Sequence, residues 1–208
     1  MSRFLTLGAA QFASQTGDID ANMAKHRDFI AQAKGAGVDV LVFPELSLVG
    51  HYGADRLLDV AMPRDDDRLL ALSREAGGMK IVVGFIEEAR GAQFYNAAAI
   101  LSDGRLRYIH RKINIPSYGR LIETKYYAQG RYVDAYALSE DWVLGLLICA
   151  DLYNPALTHL AFLHGASVLL APISSGREAV GDEFDNPWSW ATTVSYTHLR
   201  AHETVLDL

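Results

Sequence analysis

Val38-Asp39-Val40-Leu41-Val42-Phe43-Pro44-Glu45 decides the architecture of this chain. A short apolar run rich in β-branched residues, entered through Gly37 and ended by a proline, reads as a buried strand. It hands Glu45 to the loop beyond. Upstream, residues 20–36 place Phe29, Ile30 and Ala33 on one helical face, and Gly37 can close that helix. Residues 4–11 read as an earlier strand, so the chain opens strand, helix, strand.

Past Glu45, residues 55–61 and 66–76 read as helices, the second stopped by Gly77-Gly78. Residues 80–87 and 94–101 read as neighbouring strands. Ser102-Asp103-Gly104 is a hairpin-type turn, and residues 106–111 return as another strand. Residues 112–130 lack periodicity and form a long loop, a feature that often serves function. Strands follow at 133–138 and 142–148, the second running into Cys149-Ala150-Asp151. Asn154-Pro155 supplies a helix cap and a first-turn proline, so a helix runs to about His164, ended by Gly165. Residues 166–171 form an apolar strand, and Asn186-Pro187 opens a further helix. Each half of the chain has a strand that delivers a reactive side chain to a loop, then helical structure, then another strand.

With 208 residues, half of them apolar, the chain suits one domain whose core needs neither disulfides nor a metal. Its single cysteine cannot form an internal disulfide, which fits a reducing, cytoplasmic setting. A net charge of −6 argues against nucleic acid as the main partner. No run approaches the ~20 apolar residues of a membrane span. The N-terminal stretch is interrupted too early for a signal peptide. Arg64-Asp65-Asp66-Asp67-Arg68 reads as a solvated helix start rather than a metal site, because consecutive helical residues point in different directions.

Taken singly, the reactive residues are ordinary. Glu45 fits an acid at a strand end, Lys112 a surface lysine, and Cys149 a small buried hydrophobe. If the helix opening at Asn154-Pro155 points at the Cys149 sulfur, its dipole favours the thiolate. His51, His159 and His164 would allow a Cys-His protease reading. That reading leaves the surroundings of Glu45 and Lys112 unexplained.

Together, three motifs in order carry a resemblance. They are Val42-Phe43-Pro44-Glu45-Leu46-Ser47 with the Gly50-His51-Tyr52 loop, and Arg111-Lys112-Ile113-Asn114-Ile115-Pro116 continuing to Glu123-Thr124-Lys125-Tyr126-Tyr127. The third is Leu147-Ile148-Cys149-Ala150-Asp151-Leu152-Tyr153-Asn154-Pro155. The chain resembles the nitrilase superfamily of carbon–nitrogen hydrolases. That resemblance implies a four-layer α-β-β-α sandwich and a triad of Glu45, Lys112 and Cys149. Glu123 would support it, the Ala150 N–H would serve an oxyanion hole, and Tyr52 and Tyr118 would be pocket walls. It implies no metal or organic cofactor, and a homo-oligomer.

The expected reaction is hydrolysis of a small linear amide through a cysteine thioester, with release of ammonia. A nitrile or N-carbamoyl substrate is an alternative. Ile115-Pro116-Ser117-Tyr118-Gly119 with Glu123 also looks like the glutaminase portion of NAD synthetases. A catalytically inactive binding scaffold of the same fold is the reading from another class, and the intact triad argues against it. Residues 194–204, Val194-Ser195-Tyr196-Thr197-His198-Leu199-Arg200-Ala201-His202-Glu203-Thr204, resemble a translated sequencing-library adapter. The expected organisation is thus an incomplete hydrolase domain over 1–193 and a non-native tail over 194–208.

Overall fold

The computed structural model describes residues 4–51, 56–117 and 122–174. The expectations for Tyr52, Tyr118, the helix after Asn186-Pro187 and the tail from Val194 lie outside the described residues. So does the expectation that the sandwich is incomplete at its C-terminal end.

Strand β1 (Leu7–Ala9), helix α1 (Ile19–Gly35) and strand β2 (Val40–Val42) form the expected opening unit. Asp18 starts α1 by accepting the Ala21 N–H, which satisfies one of the unpaired donors of the first turn. Helices α2 (Leu57–Val60) and α3 (Asp67–Ala76) follow. Strands β3 (Lys80–Ala89), β4 (Gln93–Ser102) and β5 (Arg105–Arg111) then complete a sheet of order β1-β2-β3-β4-β5. The β1–β2 and β2–β3 pairs are parallel; β3–β4 and β4–β5 are antiparallel. A second sheet has the order β6-β7-β8, from Ala135–Ala137, Val143–Leu146 and Val168–Leu170. Helix α4 (Pro155–Leu163) connects β7 to β8, which run parallel.

Alternation of side chains along each strand sorts the core into layers. Val40, Val82, Ala98 and Ile100 of the first sheet meet Leu144, Leu146, Ile148 and Leu170 of the second. Their neighbours Ile81, Val83 and Ala99 turn the other way, onto Ile30 of α1 and Leu69 and Leu72 of α3. Leu147 likewise faces outward, onto Leu157 and Ala161 of α4. The order is helix, sheet, sheet, helix. Both central strands are covered on both faces, which is why β3 and β4 read as near-continuous apolar runs.

Differences from the expected elements are local. Strand β1 pairs over three residues, because β2 soon reaches Pro44, which brings no N–H to the ladder. A 3-10 turn, Cys149–Tyr153, stands between Ile148 and α4. Arg64 stays exposed as expected, and it also donates to Glu87, which is buried. Asp66 of the same run caps α3 by accepting the Arg68 N–H. Among the described residues no helix is long and apolar enough to cross a membrane.

Candidate active site

Three strand ends, one strand interior and a 3-10 turn, Glu123–Lys125, in the loop after β5 deliver the site. After β2, the Phe43 N–H still pairs with Val82, and the chain then turns sharply through Glu45 and Leu46. Leu46 takes φ 51, a left-handed conformation costly for a leucine. Gly84 makes the turn possible. A side chain there would overlap the Leu46 nitrogen and lie 2.6 Å from the Pro44 oxygen. Lys112 follows β5 and is clamped on both sides of its peptide. Its N–H donates to the Asn96 oxygen at 2.9 Å and its carbonyl accepts the Gly130 N–H at 2.8 Å. The long loop therefore returns to its own starting point.

Cys149 sits past β7 with φ 45, its N–H bonded to the Pro172 oxygen at 3.0 Å. The positive φ turns the thiol out of the strand line, the strain of a residue held by its surroundings. The Ala150 N–H stands at the second position of the 3-10 turn, where no intrahelical acceptor exists.

These elements bring Glu45, Lys112, Glu123 and Cys149 together. The Lys112 ammonium donates to Glu45 Oε1 at 2.7 Å and to the Glu123 oxygens at 3.0 and 2.9 Å. Asn96 Nδ2 donates to Glu45 Oε1 at 2.9 Å, and the Ser174 N–H to Glu45 Oε2 at 3.2 Å. Glu45, Lys112 and Glu123 are all buried. Cys149 is half-buried as a residue, and its thiol hydrogen-bonds Glu45 and feels the charges of Lys112 and Glu123.

The charges arrange themselves by burial and pairing. Burial opposes ionisation of Glu45, yet Lys112 and His51 hold its carboxyl below the usual range. Burial would also lower Lys112, but Glu45 and Glu123 hold its ammonium well above the usual lysine value. Glu123 is pushed up to about 7 by burial and by the Glu45 charge, against the pull of Lys112. Burial and Glu45 raise the Cys149 thiol well above its ordinary value. That direction favours the thiol, not the thiolate that a helix dipole aimed at the sulfur would favour. Desolvation and a neighbouring carboxylate outweigh any dipole at the start of α4.

His51 lies 3.7 Å from Glu123, and burial lowers its pKa against the pull of Glu45. Ligand atoms of Glu45, His51 and Glu123 lie within 4.8 Å of one another, a spacing that would suit a divalent ion. The Lys112 ammonium donates to both carboxylates from that same space and supplies the positive charge there. The other two histidines of the Cys-His reading do not join: His159 is exposed, and His164 pairs with Asp134.

A family model described as carbon–nitrogen hydrolase matches residues 6–202, a span that includes part of the expected tail. The chain belongs to the carbon–nitrogen hydrolase family. That family is one of enzymes of the nitrilase type. It is 32% identical over 181 residues to a glutamine-dependent NAD(+) synthetase of Thermotoga maritima, covering 85% of this chain and 31% of that protein. An N-carbamoylputrescine amidase of Solanum lycopersicum is 29% identical, covering 91% of this chain and 65% of the amidase. Among solved structures, the glutamine-dependent NAD+ synthetase of Acinetobacter baumannii superposes with a TM-score of 0.73 at 30% identity, over 81% of this chain and 32% of that one. A Helicobacter pylori carbon–nitrogen hydrolase reaches 0.79 at 20% identity, over 93% of this chain and 68% of that one, and shows the shared fold. The chain spans about a third of the length of the NAD synthetases it matches.

Two residues of this carbon–nitrogen hydrolase site escaped the sequence. Asn96 interrupts the apolar run of β4, and a buried amide in such a strand signals a partner waiting across the sheet. Asp151 is fully buried. It accepts the N–H groups of Ile113, Asn114 and Ile148 and pairs with His110 at 2.9 Å. An acid within Leu147-Ile148-Cys149-Ala150-Asp151-Leu152 was the available signal.

Proposed function

We propose that this chain hydrolyses a small linear amide with Cys149 as nucleophile, Glu45 as general base and acid, and Lys112 as the cation of an oxyanion hole. The observation that carries the reading is the buried Lys112 ammonium bonded to Glu45 at 2.7 Å, with the Cys149 thiol on the same carboxylate. A thiol is a poor nucleophile until deprotonated, and an ionised carboxylate in contact with it can take the proton as attack begins. The S–C bond forms as the carbonyl electrons move to oxygen. Lys112 and the Ala150 N–H are the donors available to that oxyanion, each worth about 3 kcal/mol in the transition state. Glu45 returns the proton to the departing nitrogen, and ammonia leaves a thioester. Water, activated by Glu45, then releases the acid and the thiol.

Glutamine hydrolysis is a second reading of the same chemistry. It is favoured by the identity of 32% to the Thermotoga synthetase across most of this chain. Feeding ammonia to a synthetase belongs to a longer protein. A nitrile or N-carbamoyl substrate would use the same groups. The homo-oligomer proposal is supported by the outer face of α4, where Leu160, Phe162 and Leu163 are exposed.

An ammonia-release screen over short aliphatic amides, glutamine, nitriles and N-carbamoyl compounds tests the substrate class. Turnover of simple amides is expected. Turnover confined to glutamine would assign the second reading, and release from none of them would overturn the proposal.

A further inference from the structure

A second polar site lies on the opposite face of β5 from Lys112. Arg111 precedes Lys112, so alternation sends the two side chains to opposite faces of the sheet. A groove of about 400 Å³ opens there, lined by Arg64, Tyr95, Arg111, Gln129, Arg131 and Tyr132 among others. That volume suits a metabolite-sized ligand. The charged side chains in its wall are all arginines.

Two of the guanidiniums are held in place before any ligand arrives. Glu87, buried beneath them, accepts Nε and Nη2 of Arg111 at 2.6 and 2.9 Å, and Nε and Nη2 of Arg64 at 2.9 and 2.6 Å. Arg111 also stacks 3.9 Å over the Tyr95 ring. Each guanidinium keeps Nη1 without a hydrogen bond among the described residues. Arg131 stands exposed at the rim with no hydrogen bond among them. Two of the three positive charges share the Glu87 carboxylate, which leaves an excess of two over a preformed concavity. Rigid, planar donors of this kind match carboxylate and phosphate geometry.

We propose that this groove binds a small anion, a carboxylate or phosphate group on a metabolite-sized molecule, through Arg64, Arg111 and Arg131. The site is separate from the amide chemistry and does not depend on it. Its floor is nevertheless joined to the catalytic strand end, since Gly130 in the groove wall donates to the Lys112 carbonyl.

Calorimetric titration of the chain with inorganic phosphate in one arm and succinate in another, at ionic strength held constant with chloride, tests the proposal. Saturable binding near one site per chain is expected in at least one arm, and the responding arm identifies the anion. Arg131→Ala and Arg64→Gln should each weaken it by roughly tenfold, the value of a charge-assisted bond. Arg64→Gln loosens Glu87, so circular dichroism must show that variant folded. Arg131→Ala has no hydrogen bond to lose and carries the test if Arg64→Gln does not fold. Absence of saturable binding in both arms, or binding that survives Arg131→Ala unchanged, overturns the proposal.

Discussion

Asp151 Oδ1 accepts the Asn114 N–H at 2.7 Å, and through this bond the loop that starts at Lys112 is fastened to the turn that carries Cys149. The same carboxylate takes Ile113, Ile148 and His110, and Asn114 Nδ2 returns a bond to the Ala150 oxygen. One buried acid thus sets the spacing between the ammonium and the thiol. Asp151→Asn keeps the shape but turns one acceptor oxygen into a donor facing N–H groups. It should lower stability by about 3 kcal/mol and lower kcat at least tenfold with KM nearly unchanged. Urea melts and steady-state kinetics check this, and an unchanged kcat would return Asp151 to a purely structural role.

Glu123 should make stability depend on pH in a defined direction. Its folded pKa, about 7, stands above the ordinary 4.5, so the folded state binds the proton more tightly. Its contribution is fully present below pH 4.5 and is lost as pH rises to about 7, on the order of 3 kcal/mol in all. Glu123→Gln cannot lose a proton. The stability difference, wild type minus variant, should fall across that window and be flat above it. The same variant should change kcat/KM by more than twofold, because one of the two carboxylates on Lys112 is gone. A stability difference that does not vary with pH would contradict the assignment.

The resting thiol predicts slow chemistry with simple electrophiles. With its pKa raised by burial and Glu45, Cys149 should react with iodoacetamide more slowly near neutral pH than a free thiol does. Its rate should climb steadily above pH 9. Fast alkylation at pH 7, followed by mass spectrometry of the intact chain, would show a thiolate instead.

Gly84→Ala should damage the site from a distance. The added methyl meets the Leu46 nitrogen and the Pro44 oxygen, both backbone atoms that cannot swing away. A cost of about 3 kcal/mol is expected, with Glu45 displaced and activity reduced more than the folded fraction accounts for. Full specific activity in the folded variant would show that the turn has slack.

Much of this was legible in the chain itself. Glu45 and Cys149 each follow an apolar strand and Lys112 a mixed one, and strand ends are visible as periodicity that stops. Asp66 and Asn154 announce helix starts by chemistry local to the backbone. Asn96 and Asp151 were not legible, because their partners lie across a register no single segment encodes. Asn96 meets Glu45 from β4, and Asp151 meets the loop after β5. The pairing of Arg64 was hidden for the same reason, since Glu87 reaches it from β3. The state of Cys149 was not legible either, because helix position is written in sequence while desolvation is a property of the packed whole.

The central claim, that Cys149 forms a thioester with help from Glu45 and Lys112, is tested most directly by trapping the intermediate. The chain is mixed with an amide that the ammonia screen shows to be turned over, quenched in acid within the first turnovers, and its intact mass measured. An added mass equal to the acyl group, localised to Cys149 by peptide mapping and absent from Cys149→Ala together with ammonia release, is the predicted result. Ammonia release by Cys149→Ala at a rate comparable with the parent would contradict it.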